Sequence, residues 1–481
     1  MPNHFDVLVI GAGPAGSHMA SSLNEAGYSV AQAEEWRVGG TCLNAGCDPT
    51  KTMLESAHLL HRARHAAELG LVIPQASVDW NALRSRVRAV QAMIRGGDPA
   101  QGDQNVRDEG ITLFKATARF IDAHTVELSG DEGAGAERIT AERITADRIV
   151  IATGAEEVRP PIEGLDEANV LTNVEIVDID ALPRRLAIIG GGTISTEFGQ
   201  MFQRLGVEVT IIGSDERMMP KEEPSLSDAL ESVLARDGVR FIGGMKVTRI
   251  EWRGSEQVLT GEDRDGNNSE VALADMILLA AGRKPNVDLG LDSAGVEYDD
   301  QAGIAVDAFA RTNVPHIWAI GDCATSHRFT HVASFQASIL AGNIRKEIAG
   351  DGEPKRVSGQ VIPWVTFTEP ELARVGMTEA EAMDAGLDIV TAQMPIAEQT
   401  RPLAANKQDG LVKLVVERGS GRILGGHVLS ARAGEMLSEI VLAMQHDLPV
   451  SAISGTIHSY PTFSGVLEFV AREAAGKTAG A

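Results

Sequence analysis

The stretch GGTCLNAGCDPTK, residues 39–51, holds two of the chain's three cysteines, Cys42 and Cys47, in a glycine-rich turn that ends at Lys51. Two thiols so placed can be metal ligands, a redox disulfide or inert buried groups. The spacing is longer than a C-x-x-C redox motif, and a zinc site would need two more cysteines or histidines close by, which the stretch lacks. No metal site is expected. The local chemistry favours redox work over inert thiols. Asp48-Pro49 reads as a helix N-cap followed by a first-turn proline. Cys47 then sits at a helix N-terminus, where the dipole favours a thiolate. Lys51, one turn in, adds positive charge, and Asp48 opposes it.

Such a pair needs an electron source, and the flanking segments supply candidates. FDVLVIGAGPAGSHMASSLNEAGYSVAQAEE reads as strand, glycine turn, helix and strand. Gly11 permits the tight turn, Gly13 lets the backbone approach a pyrophosphate, and Gly16 allows close helix–strand packing. Glu34, at the end of the second strand, suits a ribose hydroxyl pair. A second copy, RLAIIGGGTISTEFGQMFQRLGVEVTIIG, carries Gly190 and Gly192, with Ser195 at the third glycine position. Its second strand ends at Gly213 with no acid there. Ser214 and Arg217 suit a 2′-phosphate and tilt the reading toward NADPH, whereas Asp215 and Glu216 oppose it, so NADH also stays open. Two nucleotide sites are expected.

Farther along, RIVIATGAEEVRPP is a buried strand broken at Gly154, and IWAIGDCATS places Asp322 just after another, where an acid suits a chain of sugar-like hydroxyls. The tandem repeat ERITAERITADRI, Glu137 to Ile149, reads as a slipped duplication that lengthens a hairpin. From about residue 356 the texture is that of an antiparallel sheet with helices on one side. At 481 residues the chain is too long for one ordinary domain. Its 43 basic against 67 acidic residues leave a formal charge of −24, which argues against nucleic acid and anionic membranes as partners. No run reaches the roughly 18 apolar residues of a membrane span. The N-terminal MPNHFDVLVIGAG reads as a buried strand rather than a signal peptide. Three cysteines do not make a secreted disulfide scaffold, and a cytoplasmic location is expected.

The chain resembles the class I pyridine nucleotide–disulfide oxidoreductases, which include dihydrolipoamide dehydrogenase, glutathione reductase and mercuric reductase. GGTCLNAGCDPTK looks like their redox-disulfide signature. Both glycine fingerprints, ATGA, AAGRKPN, IGDCA, FTEPELARVGMTEAEA and ILGGHVLSARAGE follow in the family's order. The resemblance implies an α/β fold with two Rossmann-like dinucleotide-binding domains, for FAD and NAD(P), and a C-terminal α+β dimerisation domain. The expected boundaries are 1–155 and 285–355 for the two parts of the FAD domain, 156–284 for the NAD(P) domain and 356–481 for the interface domain. It implies that Cys47 contacts the flavin in a charge-transfer pair and that Cys42 exchanges with substrate. Lys51 would lie by the flavin and pair with Glu197. Asp322 would bind the ribityl chain, and the Ala116 backbone the adenosine. Thr41 and Gly154 join the cofactor-binding set, and Val247 and Gly282 would line the nicotinamide-nucleotide side.

One part of the pattern breaks. The disulfide reductases of this family carry a histidine before Pro-Thr, lent by the partner subunit as general acid–base, and a glutamate that orients it. Here the stretch is TIHSYPTFSGVLE, with Tyr460 at the histidine position and Gly465 at the glutamate position. His458 reads as a structural or surface residue, and Glu468 lies too far along to take over. A tyrosine there is similar to mercuric reductases and soluble transhydrogenases. The tail AREAAGKTAGA lacks the cysteine pair of the former, and no metal-binding domain is expected ahead of residue 1. The latter lose the second redox cysteine, whereas Cys47 is present. The expected activity is electron transfer from NAD(P)H through FAD and the Cys42–Cys47 disulfide to a small acceptor, in a homodimer. Alternatives are a dihydrolipoamide dehydrogenase, a mercuric reductase-like metal reductase, and a non-catalytic flavin-binding redox sensor.

Overall fold

A computed structural model describes residues 3–130 and 142–479 of the chain. Strand β1, His4–Ile10, is apolar along nearly its whole length and lies at the centre of a sheet. It runs parallel to β2, Val30–Ala33, on one side and to the strand Glu142–Ile151 on the other. Helix α1, Pro14–Glu25, crosses between β1 and β2 and buries Ala15, Met19, Ala20 and Leu23 on one face. Small residues at the front of that face let the helix approach the sheet closely. The short helix α2, Gly40–Ala45, is followed by helix α3, Cys47–Arg64. The strand Ile317–Ala319 extends the same sheet in parallel, and Thr117–Phe120 with Thr125–Ser129 add an antiparallel edge. The second copy of the tandem repeat runs into Glu142–Ile151, which pairs with Thr125–Ser129. Its first copy, residues 137–141, lies outside the described residues.

The second glycine motif builds the same unit again. Strand Arg185–Ile189, helix Thr193–Arg204 and strand Glu208–Ile212 follow one another, and the two strands pair in parallel within a five-stranded parallel sheet. A three-stranded antiparallel sheet, Lys246–Arg253, Glu256–Glu262 and Asn268–Ala274, is inserted before the sheet's next strand, Met276–Leu279. The C-terminal portion is a five-stranded antiparallel sheet, with Ala433–Gln445 and Gly465–Ala479 packed over its apolar core.

By contact the chain forms two compact units. The first is Met1–Thr50, Arg84–Val158 and Gly282–Gln360. The second is Lys51–Leu83, Arg159–Ala281 and Val361–Ala481. Helix α3 begins in the first and continues in the second. Among the described residues no helix is long and apolar enough to cross a membrane.

Candidate functional site

Backbone geometry explains the glycines of both turns. Gly11 has φ +104°, and a Cβ there would meet the Ala152 carbonyl oxygen at 2.3 Å. Gly190 has φ +125°, and its Cβ would meet the Ala280 carbonyl oxygen at 2.2 Å. Gly16 has the Gly11 carbonyl oxygen 2.1 Å from where a Cβ would stand, which forbids any larger residue. Its counterpart Ser195 is fully buried and fits. Gly13 and Gly192 differ from these. Each caps its helix without a side-chain bond, and a Cβ added to either would meet nothing within 4 Å. Open space therefore borders the first-turn N–H groups of both helices, the arrangement a diphosphate requires.

In the first unit Glu34 is buried. Its carboxylate accepts from the N–H of Ala12, inside the glycine turn, at 2.7 Å and from that of Trp36 at 2.8 Å. Burial pushes its pKa up. Ala116 is tied to the same corner, its N–H donating to the Glu34 carbonyl at 3.1 Å. Asp322 lies in a short turn, Gly321–Cys323, after Ile317–Ala319. Burial raises its pKa as well, against the pull of Arg283, whose Nη1 is 3.2 Å from Oδ2. Gly154, at φ +74°, also borders open space. Gly282 belongs to this unit, where its carbonyl accepts from Val158.

The cysteine turn is pinned to the first glycine loop. The N–H of Gly39 donates to the Ala12 carbonyl at 2.8 Å, and a Cβ on Gly40 would collide with the Gly13 Cα at 2.8 Å. Thr41 and Cys42 ride on α2, and both cysteines are half-buried free thiols. Their side chains interact: the hydrogen bond to Cys47, then burial, drive the Cys42 thiol far up and hold it protonated. Cys47 Sγ lies 3.4 Å from Oγ1 of Thr330, the first residue of the helix Thr330–Ala349. Since Cys47 also opens α3, two helix starts meet at this sulfur, and both dipoles favour negative charge on it. Asp48 is not the cap. The helix begins at Cys47, and the Asp48 carboxylate sits inside the first turn, where an anion is also favoured by the dipole. Thr330 carried no motif in the sequence and becomes visible only through its contact.

In the second unit Lys51 Nζ is 2.7 Å from Glu197 Oε2. Glu197 is almost fully buried on the helix Thr193–Arg204, and its Oε1 accepts from the N–H of Phe367 at 2.8 Å. Lys51 also stands 4.7 Å over the Phe367 ring. Phe367 lies in the FTEPELARVG motif, whose role had no local signal. Val247 sits at a bulge in Lys246–Arg253 with its side chain in the core. Arg217 is engaged by Asp228, and Glu216 by Arg264.

Tyr460 is 81% exposed, and its hydroxyl meets Thr400 Oγ1 at 3.0 Å. The His458 side chain is 7% exposed. Its Nε2 contacts both oxygens of Glu439 at 3.1 Å, and its Nδ1 is 3.0 Å from the Thr456 carbonyl. The His458 side chain is therefore held by Glu439. Glu468 lies 3.9 Å from its Nδ1 and pairs with Arg472.

Two glycine-turn nucleotide folds, and two thiols of which one lies where helix starts meet, describe an oxidoreductase that moves electrons between dinucleotides and sulfur. The pyridine nucleotide-disulphide oxidoreductase profile matches residues 5–337, and its dimerisation domain residues 362–470. The chain belongs to this family. It is 34% identical over 469 residues to a dihydrolipoyl dehydrogenase of Chlamydia muridarum, covering 97% of this chain and 96% of that one. It is 32% identical over 471 residues to a mercuric reductase of Lysinibacillus sphaericus, covering 98% and 82%. In structure it is similar to the HOCl-induced flavoprotein disulfide reductase RclA of Escherichia coli, solved as a Cu(II) complex, with TM-score 0.85, 29% identity and coverage of 98% and 100%. The protein is an NAD(P)H-dependent flavoprotein disulfide oxidoreductase that uses FAD. The first unit fits FAD, with an open helix N-terminus for the diphosphate and two carboxylates suited to accept from hydroxyls, the buried Glu34 and the part-buried Asp322.

Proposed function

We propose that the enzyme reduces a small oxidised acceptor, a metal ion, a small oxidant or an unusual disulfide, through a Cys42–Cys47 disulfide. Supporting this reading above all is Tyr460, an exposed phenol where disulfide reductases keep a histidine, while the nearby histidine is locked onto Glu439. General acid–base help is worth about 10²–10⁴-fold in rate. A phenol titrating near 10 is a poor base at neutral pH, though it can donate a hydrogen bond. Turnover of lipoamide or glutathione disulfide is therefore weak.

Bound FAD supplies two-electron exchange between NAD(P)H and sulfur. The chain's own residues do the rest. Glu34, Asp322 and the first glycine turn hold the dinucleotide, and the turn at Gly190 and Gly192 holds NAD(P)H. Cys47, stabilised as a thiolate at the two helix starts with Lys51 one turn on, faces the flavin side. Cys42 exchanges with the acceptor, with Tyr460 donating a hydrogen bond. Two electrons and one proton, delivered from NAD(P)H, convert the disulfide to the Cys47 thiolate and the Cys42 thiol. The C-terminal unit forms a homodimer, which light scattering can test.

A panel of lipoamide, glutathione disulfide, mercuric ion, Cu(II), quinones and small oxidised sulfur species, each with NADH and NADPH, tests the acceptor. Lipoamide turnover rivalling an ordinary dihydrolipoyl dehydrogenase would overturn it. That second reading draws its support from the 34% identity to such an enzyme.

A further inference from the structure

Glu197 spends one carboxylate oxygen on Lys51 and the other on the N–H of Phe367, so the position of residue 367 sets where that carboxylate points. Two residues on, Glu369 is gripped from the same helix. The Gln200 side chain accepts from the Glu369 N–H at 2.8 Å and donates to its carbonyl at 2.9 Å. Arg204 Nη1 meets the Glu369 carboxylate at 2.9 Å, and Lys407 meets it at 2.6 Å. On its far side Arg204 Nε meets Asp237 at 2.8 Å, and the same Asp237 oxygen accepts from Gln200 at 3.0 Å. Arg204 Nη1 also donates to Nδ1 of His58, two turns past Lys51 on α3, at 2.7 Å. Glu197, Gln200 and Arg204 are spaced i, i+3, i+7 along one helix face, and all are buried. The contacts close a ring from Lys51 through Glu197, Phe367, Glu369, Arg204 and His58 back to Lys51.

We propose that Arg204 and Gln200 are positioning residues for the Lys51–Glu197 pair, fixing the segment from Phe367 to Glu369 and, through His58, the rotation of α3. A buried arginine between two carboxylates is poor value as mere stabilisation, since apolar packing of equal volume often does as well. It does supply directional bonds, and here they end on the backbone and side chain that aim Glu197. Lys51 carries the nearest cation on α3 to Cys47, so a loosened pair changes the field at the thiolate.

The inference rests on the flavin–thiolate reading above. Arg204→Met, Arg204→Lys and Gln200→Leu are compared with wild type as holoenzymes, reduced anaerobically with NADPH or NADH. The readouts are the long-wavelength thiolate–flavin absorbance per bound flavin, the rate at which iodoacetamide modifies Cys42 and Cys47, located by mass, and the melting temperature. The band and the alkylation rate are each expected to change at least twofold in Arg204→Met and Gln200→Leu, with partial recovery in Arg204→Lys. If Arg204→Met does not accumulate, the other two variants carry the test. Variants that melt lower yet keep wild-type absorbance and alkylation would overturn the positioning role. Wild type that binds flavin but shows no band refutes the flavin–thiolate reading instead, and the alkylation rates then decide this one.

Discussion

Replacing His58 by Gln removes one buried ionisable group while keeping an acceptor for Arg204. In the folded chain burial, then the Arg204 guanidinium, push the pKa of His58 down to about 4 from an ordinary value near 6.5. Above pH 6.5 the ring is neutral in both folded and unfolded chains, and it contributes no pH dependence. Between about 6.5 and 4 the unfolded chain binds a proton that the folded chain refuses, so stability falls as pH falls. At about 1.4 kcal/mol per pH unit the loss across that window is about 3 kcal/mol. The total slope of wild type does not isolate this effect. His427, held down to about 4 by burial, acts in the same direction. Glu371, which burial raises to about 7, acts oppositely between about 4.5 and 7. Glu369, lowered to about 2 by His58, Lys407 and Arg204 against its burial, contributes only as pH falls from 4.5 toward 2. The difference between His58→Gln and wild type cancels the first two. Equilibrium urea titrations from pH 8 to pH 4 measure it. The variant is expected to gain about 3 kcal/mol on wild type between pH 7 and pH 4, whatever its offset at pH 7. A difference that stays flat would show that His58 is not held neutral by its surroundings, and the argument from burial would fail.

Cys47→Ser is expected to keep its bound FAD and lose the long-wavelength absorbance on anaerobic reduction, which a spectrum of the reduced protein checks. Tyr460→His, assayed with lipoamide, is expected to raise turnover at least tenfold, within the range such a group supplies; no gain would remove Tyr460 from the account of acceptor choice. Lys413, buried between Glu223 and Glu379 at 2.5 Å from each, is expected to cost about 3–5 kcal/mol as Lys413→Met, because it leaves Glu223 buried and unpaired. Thermal melting reads the loss, and adding Glu223→Gln is expected to recover part of it.

What could be read along the chain divides by the range of the physics. Gly11 and Gly190 stand out because a local φ near +100° and a carbonyl about 2 Å from any Cβ admit one residue type, a constraint written at single positions. The parallel units around them follow from apolar runs and small-residue helix faces of ordinary length. The start of α3 was displaced because Asp-Pro is a strong N-cap signal. Helix α2 ends at Ala45, and the chain turns at Gly46 directly into α3, which makes Cys47 the first helical residue. Lys51 and Glu197 lie 146 residues apart, and no periodicity links them; only the resemblance paired them. The same distance hid Thr330 beside Cys47 and the grip of Gln200 and Arg204 on Glu369. The fold brings a backbone segment from beyond residue 360 against Gln200 and Arg204. The fate of His458 was open for a related reason. Its partner Glu439 sits on the helix Ala433–Gln445 while His458 lies outside any helix, and an ion pair made across elements leaves no trace in spacing. Function depends most on such contacts: the turn that holds a cofactor is set by local stereochemistry, whereas the placement of charge near its sulfur is set by long-range packing. For that reason the family is legible in the sequence and the acceptor is not.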